Sequence, residues 1–129
     1  MIYSFAITTL NRTPKEDKQE TKLELTKGII HQVDFMFPAG CAGLAHIVIY
    51  RGANQIWPTN AIESFHTDDE TITFSEYYRV ETDPYMLSAY TWNLDRSYGH
   101  TIFFRVGILQ ESEIRGVWIP WSEEVIMSP

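Results

Sequence analysis

Residues 28–52 read GIIHQVDFMFPAGCAGLAHIVIYRG, and this stretch decides the fold that the sequence predicts. It contains two apolar runs, residues 29–37 and 44–51, on either side of the turn-forming segment 38–43. That segment carries one proline and two glycines, the residues that most often interrupt regular structure. We interpret the two runs as the strands of a hairpin at the centre of a small β-sandwich.

The two runs differ in their pattern of apolar side chains. In the first, His31, Val33 and Phe35 share one face of a strand, and Gln32 and Asp34 share the other. This alternation predicts a strand with one face in the core and one wetter face. The second run is apolar on both faces and rich in β-branched residues, which predicts a central strand covered on both sides.

Shorter strand-like segments lie on both sides of this stretch and are joined by turn-rich segments. They comprise residues 2–10, 23–26, 55–57, 71–75, 77–81, 85–92 and 100–108. No segment of about ten residues has the period of an amphipathic helix. The chain therefore predicts an all-β fold, namely a two-sheet antiparallel β-sandwich of jelly-roll type with about eight strands.

The composition divides the chain into three parts. Residues 1–22 are predicted to form an N-terminal strand and an extended, charged arm, and residues 23–109 the sandwich body. Residues 110–129 carry two of the four tryptophans and have no sustained period, and they are predicted to form a docking tail. Apolar surface of that kind has to be covered by other groups.

The distribution of charge excludes one large class of partner. The 129 residues carry a net charge of −7, and all four lysines precede Gly28. From Gly28 onward there are five arginines and thirteen acidic residues, a net charge of −8. A protein that binds the phosphate backbone needs a basic surface, so we expect no nucleic-acid partner. No apolar run is long enough for a membrane-spanning helix, and the N-terminal residues lack the pattern of a secretory signal; we expect neither.

Few residues suggest catalysis or metal binding. The single cysteine, Cys41, has no partner for an internal disulfide, and we expect it to be a small core residue. The four histidines lack the spacing of a zinc site, and the acidic run 68–70 lacks the alternating ligands of a calcium loop. Neither a nucleophile motif nor a glycine-rich phosphate loop is present. We therefore expect no enzyme activity, no metal and no cofactor.

Aromatic residues support an alternative interpretation, a non-catalytic carbohydrate-binding module that serves, for example, in adsorption. Trp57, Tyr90 and Trp92 lie at predicted strand ends or beside loops, where their rings can stack on a sugar. In such sites aromatic rings meet the apolar faces of sugar rings while polar groups at the rim supply hydrogen bonds. The same three side chains can instead fill a core.

Two terminal segments are the predicted contact surfaces. A strand such as residues 2–10 can pair with the sheet edge of a neighbouring copy, and the tryptophans of the tail can anchor it in a groove of a partner. The competing interpretation is that both ends fold back on their own sandwich. The predicted interface residues are Tyr3, Phe5, Ile7, Val117, Trp118, Ile119 and Trp121.

The central stretch also resembles proteins of a known type. Three segments carry the resemblance: Lys27-Gly28-Ile29-Ile30-His31-Gln32-Val33, Pro38-Ala39-Gly40-Cys41-Ala42-Gly43-Leu44 and Ile49-Tyr50-Arg51-Gly52. In pattern they are similar to small β-sandwich proteins of virions, in particular the minor and decoration-type head proteins of tailed bacteriophages. The resemblance spans residues 23–109.

This resemblance implies a structural role. It implies a virion protein, made in the host cytoplasm, that forms a homo-oligomer, often a trimer. It further implies that the protein binds the major capsid protein or another shell protein as decoration or cement, without catalysis. No family motif with assigned residue roles carries over to this chain.

Overall fold

A computed structural model describes residues 1–110 of the chain. This part contains eight strands and one turn of 3-10 helix at Lys15–Asp17, and the predicted all-β class is confirmed. Most of the predicted docking tail, residues 111–129, lies outside the described residues. The strands are β1 (Ile2–Thr9), β2 (Gln19–Glu24), β3 (Gly28–Phe37), β4 (Ala45–Arg51), β5 (Asn54–Trp57), β6 (Glu70–Val80), β7 (Met86–Asn93) and β8 (His100–Leu109).

The eight strands form two four-stranded sheets. The first sheet has the order β1-β8-β3-β6 and the second the order β2-β7-β4-β5, and all neighbours are antiparallel. The first strand of the chain therefore pairs with the last, the second with the seventh, the third with the sixth and the fourth with the fifth. Nested pairing of this kind, distributed over two sheets, is the jelly roll. The predicted two-sheet sandwich of jelly-roll type is confirmed.

The predicted central hairpin is wrong. β3 and β4 lie in different sheets, and residues 38–44 carry the chain from one sheet to the other. Packed sheets lie about 10 Å apart, a distance that a loop of this length spans easily. β3 and β4 each have an apolar face that is buried in the core, and the crossing lets these two faces pack against each other instead of placing the strands side by side.

The core lies between the sheets and is built from the inward faces of all eight strands. Phe35 lies at its centre, with its ring 4.9 Å from that of Phe104 and 4.7 Å from that of Phe65. Removing a side chain of this size from water contributes about 2–3 kcal/mol. The largest fully buried side chains are Phe35, Phe37, Phe104, Leu23, Ile30, Ile47, Ile49, Leu87, Ile102, Ile108, Val33 and Val80.

β3 departs from the predicted alternation at His31. Its register with β6 and with β8 shifts between Ile30 and Gln32, which is the signature of a β-bulge. The bulge places Ile30 instead of His31 in the core, so the predicted inward position of His31 is wrong. Gly107 makes room for the displaced ring, since a Cβ at this position would lie only 2.8 Å from His31 Nε2.

The sandwich begins at Ile2, earlier than the predicted start of the body at residue 23. β1 is an edge strand of the first sheet and β2 an edge strand of the second, so only residues 10–18 between them form an irregular arm. At the other end of the described part, β8 ends at Leu109. In residues 1–110 no helix is long and apolar enough to cross a membrane.

Candidate interaction surfaces

The three rings of the predicted sugar platform do not lie on one surface. Trp57 is 2% exposed and points into the core, where its ring lies edge-on to those of Phe74 and Tyr78. Its indole N–H donates a hydrogen bond of 2.8 Å to Glu76 Oε2. Tyr90 is half-buried and belongs, like Trp92, to the outer face of the second sheet. Trp57 is therefore not part of a platform with the other two.

The remaining two rings are covered by the chain itself. Trp92 is 5% exposed: the His46 ring stacks on it with a centroid distance of 5.0 Å, and Lys15 Nζ lies 5.4 Å from its centroid. Lys18 Nζ lies 5.8 Å from the centroid of Tyr90. Lysine over an aromatic ring is a favourable contact, worth about 0.5–1 kcal/mol at an exposed site. The arm thus lies over the outer face of the second sheet at β7.

A groove of about 380 Å³ runs along this outer face between the arm and residues 53–63. Tyr50 and Trp92 line it, and Gln55 fixes one wall because its Nε2 donates to the carbonyl oxygens of Pro58, Asn60 and Glu63. The wall carries an exposed isoleucine, residue 62, whose φ is +69°. The groove combines aromatic and amide groups, but Lys15 of the arm lies over the ring of Trp92, on which a sugar would stack.

Two histidines stack on this face, a contact that the sequence did not indicate. The rings of His46 and His66 lie 4.3 Å apart, and His46 Nδ1 is 2.8 Å from Ser64 Oγ. Burial, followed by the neighbouring His66 and Lys15, lowers the pKa of His46 to about 4, so its ring is neutral at pH 7. The two histidines are twenty positions apart on different elements, and no periodic signal connects them. Within residues 1–110 no three potential metal ligands cluster.

The outer edge of β1, with which no strand of residues 1–110 pairs, is the other notable surface. Met1 and Ile108 exchange two backbone hydrogen bonds. The amino group of Met1 donates to Ile108 O at 3.0 Å, and the amide of Ile108 donates to Met1 O at 2.7 Å. In an antiparallel pair alternate residues exchange such bonds, so the backbone N–H and C=O groups of Ile2, Ser4 and Ala6 point away from the sheet. Their side chains are small or uncharged and exposed on the outer face. β1 therefore presents an edge to which another strand can pair.

The other three edge strands are protected. β2 carries alternating charges, with Lys22 Nζ 2.7 Å from Glu20 Oε2, and charged side chains are a common means of blocking an edge. On β6, Glu76 accepts a hydrogen bond of 3.0 Å from the amide of Tyr77. β5 has four residues and is followed by Pro58, which has no N–H. β1 combines eight residues with a complete lack of charge and proline.

The structure places Tyr3, Phe5 and Ile7 on the inner face of β1. Ile7 is buried, Phe5 packs on the core, and the hydroxyl of Tyr3 lies 2.5 Å from that of Thr26. In a single chain these predicted interface side chains contact their own sandwich. A partner could therefore contact β1 through its outward backbone groups and not through these side chains. In the sequence, the one feature that points to such an edge is the absence of charged residues from residue 2 to residue 9. The predicted tail contacts, Val117, Trp118, Ile119 and Trp121, lie outside the described residues.

The sequence matches no protein-family model and no curated protein.

Proposed function

We propose that this chain is a structural virion protein that self-associates and binds a capsid or other shell as decoration or cement. In this role it has no catalytic activity. The proposal extends the resemblance of residues 23–109 to decoration-type head proteins, and it rests on one structural observation: no strand of residues 1–110 pairs with the outer edge of β1, and this strand carries no charge.

The edge supports self-association for a physical reason. An exposed strand with unpaired backbone groups and no charge gains hydrogen bonds when a second strand pairs with it. In the proposed contact β1 of one copy pairs antiparallel with β1 of another, which joins two four-stranded sheets into one. The contact is the same surface on both copies, as a two-fold axis requires.

The carbohydrate alternative has less support. It needs an open aromatic platform, whereas Trp57 is buried and Trp92 lies beneath Lys15 and His46. A sugar would have to displace the arm before it could stack on Trp92. Titration of the full chain with soluble glycans, followed by tryptophan fluorescence, tests this alternative directly.

The self-association test uses a charge on the edge. Ala6→Lys places an ammonium beside the outward backbone groups of β1 and should weaken association about tenfold or more, as a charge that blocks edge pairing does. Ser75→Lys is the matched control, because it adds the same charge on the same face at the opposite edge of the sheet. Sedimentation velocity of the full chain over a range of concentrations measures both. Equal association of the two variants and the unmodified chain would reject the β1 contact.

Binding to a shell needs a separate measurement. The full chain should co-sediment with purified shells of the virus that encodes it, at a fixed ratio to the major shell protein. Failure to bind such shells at micromolar concentration would contradict the decoration role even where self-association is observed.

A further inference from the structure

One end of the sandwich collects all the long connections. Because β1, β3, β5 and β7 run in one direction and their partners in the other, residues 10–18, 38–44, 58–69 and 94–99 lie at the same end. Hydrogen bonds join them across this end: Leu94 N donates to Leu44 O at 3.0 Å, and Gly43 N donates to Thr67 O at 3.3 Å. We call this surface the loop end.

Half of the loop end is a rigid pair of loops, 10–13 and 94–99. Asn93 is fully buried, and its Nδ2 donates to Thr9 O at 3.2 Å and to Tyr98 O at 3.0 Å. Asp95 Oδ1 accepts hydrogen bonds from the amides of Ser97 and Tyr98, and its Oδ2 lies 2.7 Å from His100 Nε2. The amide of Ser97, followed by His100, lowers the pKa of Asp95. These bonds fix the loop without using its outward side chains.

The first loop is held against the second. Arg12 N donates to Asp95 O at 2.8 Å, and Arg12 Nε and Asn11 Nδ2 both donate to Arg96 O, at 3.1 Å and 3.0 Å. Arg12 has a φ of +56°, a left-handed conformation that costs a residue with a side chain about 1 kcal/mol. The hydrogen bonds offset that cost and leave its side chain at the surface.

The rigid loops present a surface suited to a protein contact. Leu10, Leu94 and Tyr98 are 71%, 48% and 70% exposed, and Arg12 and Arg96 line a depression of about 400 Å³ beside them. Tyrosine and arginine are, with tryptophan, the residues enriched at the energetic centres of interfaces. Because these loops are already ordered, little conformational entropy is lost on binding.

The other half of the loop end carries the opposite charge. Residues 38–44 and 58–69 contain no lysine or arginine, and residues 68–70 are all acidic and exposed. Asp68 holds this acidic loop in place, since its Oδ1 accepts hydrogen bonds from the amides of Gly40 and Ala42 at 2.9 Å and 2.7 Å. In the basic half, Lys15 and Lys18 balance Glu16 and Asp17 in number, and Arg12 and Arg96 outnumber Asp95, so residues 10–18 and 94–99 together carry a net charge of +1.

We propose that the loop end is an interface between two copies of this chain. The Arg12 and Arg96 surface of one copy binds the acidic loop 68–70 of the other, and a two-fold axis forms the same contact twice. Charge complementarity selects a second copy as the occupant, because both halves lie at one end of the same molecule. The inference rests on the proposed self-association and adds a second surface, so that association through β1 and the loop end together continues beyond a dimer.

Charge reversal tests the contact in the full chain. Arg96→Glu and Glu70→Lys should each weaken association about tenfold or more at low salt, because each breaks two charge pairs across the axis. The double variant should regain association to within about threefold. Mixing the two single variants should also restore it, because both pairs are then complementary again. Lys27→Glu, with the same charge change at the opposite end of the sandwich, is the control and should associate like the unmodified chain.

Sedimentation velocity at about 50 and 500 mM salt measures all five proteins, and near-ultraviolet circular dichroism verifies that each is folded. The higher salt concentration should weaken the self-association of the unmodified chain towards that of the Arg96→Glu variant, because salt screens the charge pairs. Unchanged association of the single variants, or a double variant weaker than either, would overturn the loop-end contact. If Ala6→Lys still dissociates the chain in that case, the proposed self-association through β1 stands; a monomeric unmodified chain at about 100 μM would reject both.

Discussion

β1 and β2 occupy equivalent places at the edges of the two sheets, but the edge strand β2 is charged and the edge strand β1 is not. Both are outer strands, and both bury side chains on their inner faces, with Ile7 in β1 and Leu23 in β2. β2 carries three charged residues and an ion pair between Glu20 and Lys22 on its outer face, and β1 carries none. The fold requires only the inner faces. The difference in charge between the two edges therefore bears on the proposed contact between copies and not on the core.

The largest expected effect tests the shared inner faces. Ile7→Ala and Leu23→Ala should each lower the free energy of unfolding by about 2–4 kcal/mol, because each leaves a cavity in the core. Urea denaturation followed by tryptophan fluorescence measures the change. An exposed substitution on each strand, Ser4→Thr and Lys22→Thr, provides the control and should change stability by less than about 0.5 kcal/mol. If Ile7→Ala lowers the free energy of unfolding by less than about 1 kcal/mol while Leu23→Ala lowers it as expected, β1 does not pack on this core as β2 does.

An intermediate effect comes from removing the protection of β2. Glu20→Thr combined with Lys22→Thr leaves Glu24 as the one charge on β2, so its edge becomes more like that of β1 and association should strengthen about tenfold. The exposed ion pair contributes little to folding, so stability should change by less than about 1 kcal/mol. Asp83→Thr with Lys27→Thr removes the same charges from exposed positions at the end of the sandwich opposite the loop end and should leave association unchanged. If both pairs of substitutions behave alike in sedimentation velocity, charge does not distinguish the two edges.

The smallest expected effect is a pH dependence of stability that comes from His46 on the outer face of the second sheet. The arm covers the outer face of the second sheet, where the pKa of His46 is about 4, whereas an unfolded histidine has a pKa near 6.5. As the pH falls, the unfolded chain binds the proton first, so the stability present above about pH 6.5 is lost as the pH approaches 4. Solvent screening of this half-buried ring limits the loss to on the order of 1 kcal/mol.

His46→Phe keeps an aromatic ring against Trp92 and removes the titrating group. The difference in unfolding free energy between this variant and the unmodified chain, measured from pH 7.5 to 4, should follow the predicted loss. A constant difference across this range would mean that His46 is not held neutral by the covering arm.

The sequence predicted the strands well and their partners poorly. The alternation of Val33 and Phe35 with Gln32 and Asp34 located β3 and its inner face, because the side chains of a strand alternate whatever the strand pairs with. The same pattern did not reveal that the chain crosses between the sheets after Phe37, since a loop with proline and glycine is compatible with a hairpin and with a crossing. It also gave no sign of the bulge at His31, which depends on Gly107, a residue far along the chain.

The candidate surfaces show the same division. The absence of charge in residues 2–9 is visible in the sequence, but it becomes meaningful only when β1 is known to be an edge strand. Trp57 was predicted to share a platform with Tyr90 and Trp92. In the structure the three rings do not share a surface, because the side chain of Trp57 points inward from β5 and those of Tyr90 and Trp92 point outward from β7. The loop end was not predicted, since its halves come from four separate connections.

The sequence by itself determined that this chain is an all-β sandwich whose main strands have an apolar face, because alternation and β propensity are local properties of neighbouring residues. Only the tertiary structure decided which strands pair, which edge stays open and which loops meet at one end. Those outcomes depend on contacts between residues far apart in the chain, and such contacts leave no periodic signal in the sequence.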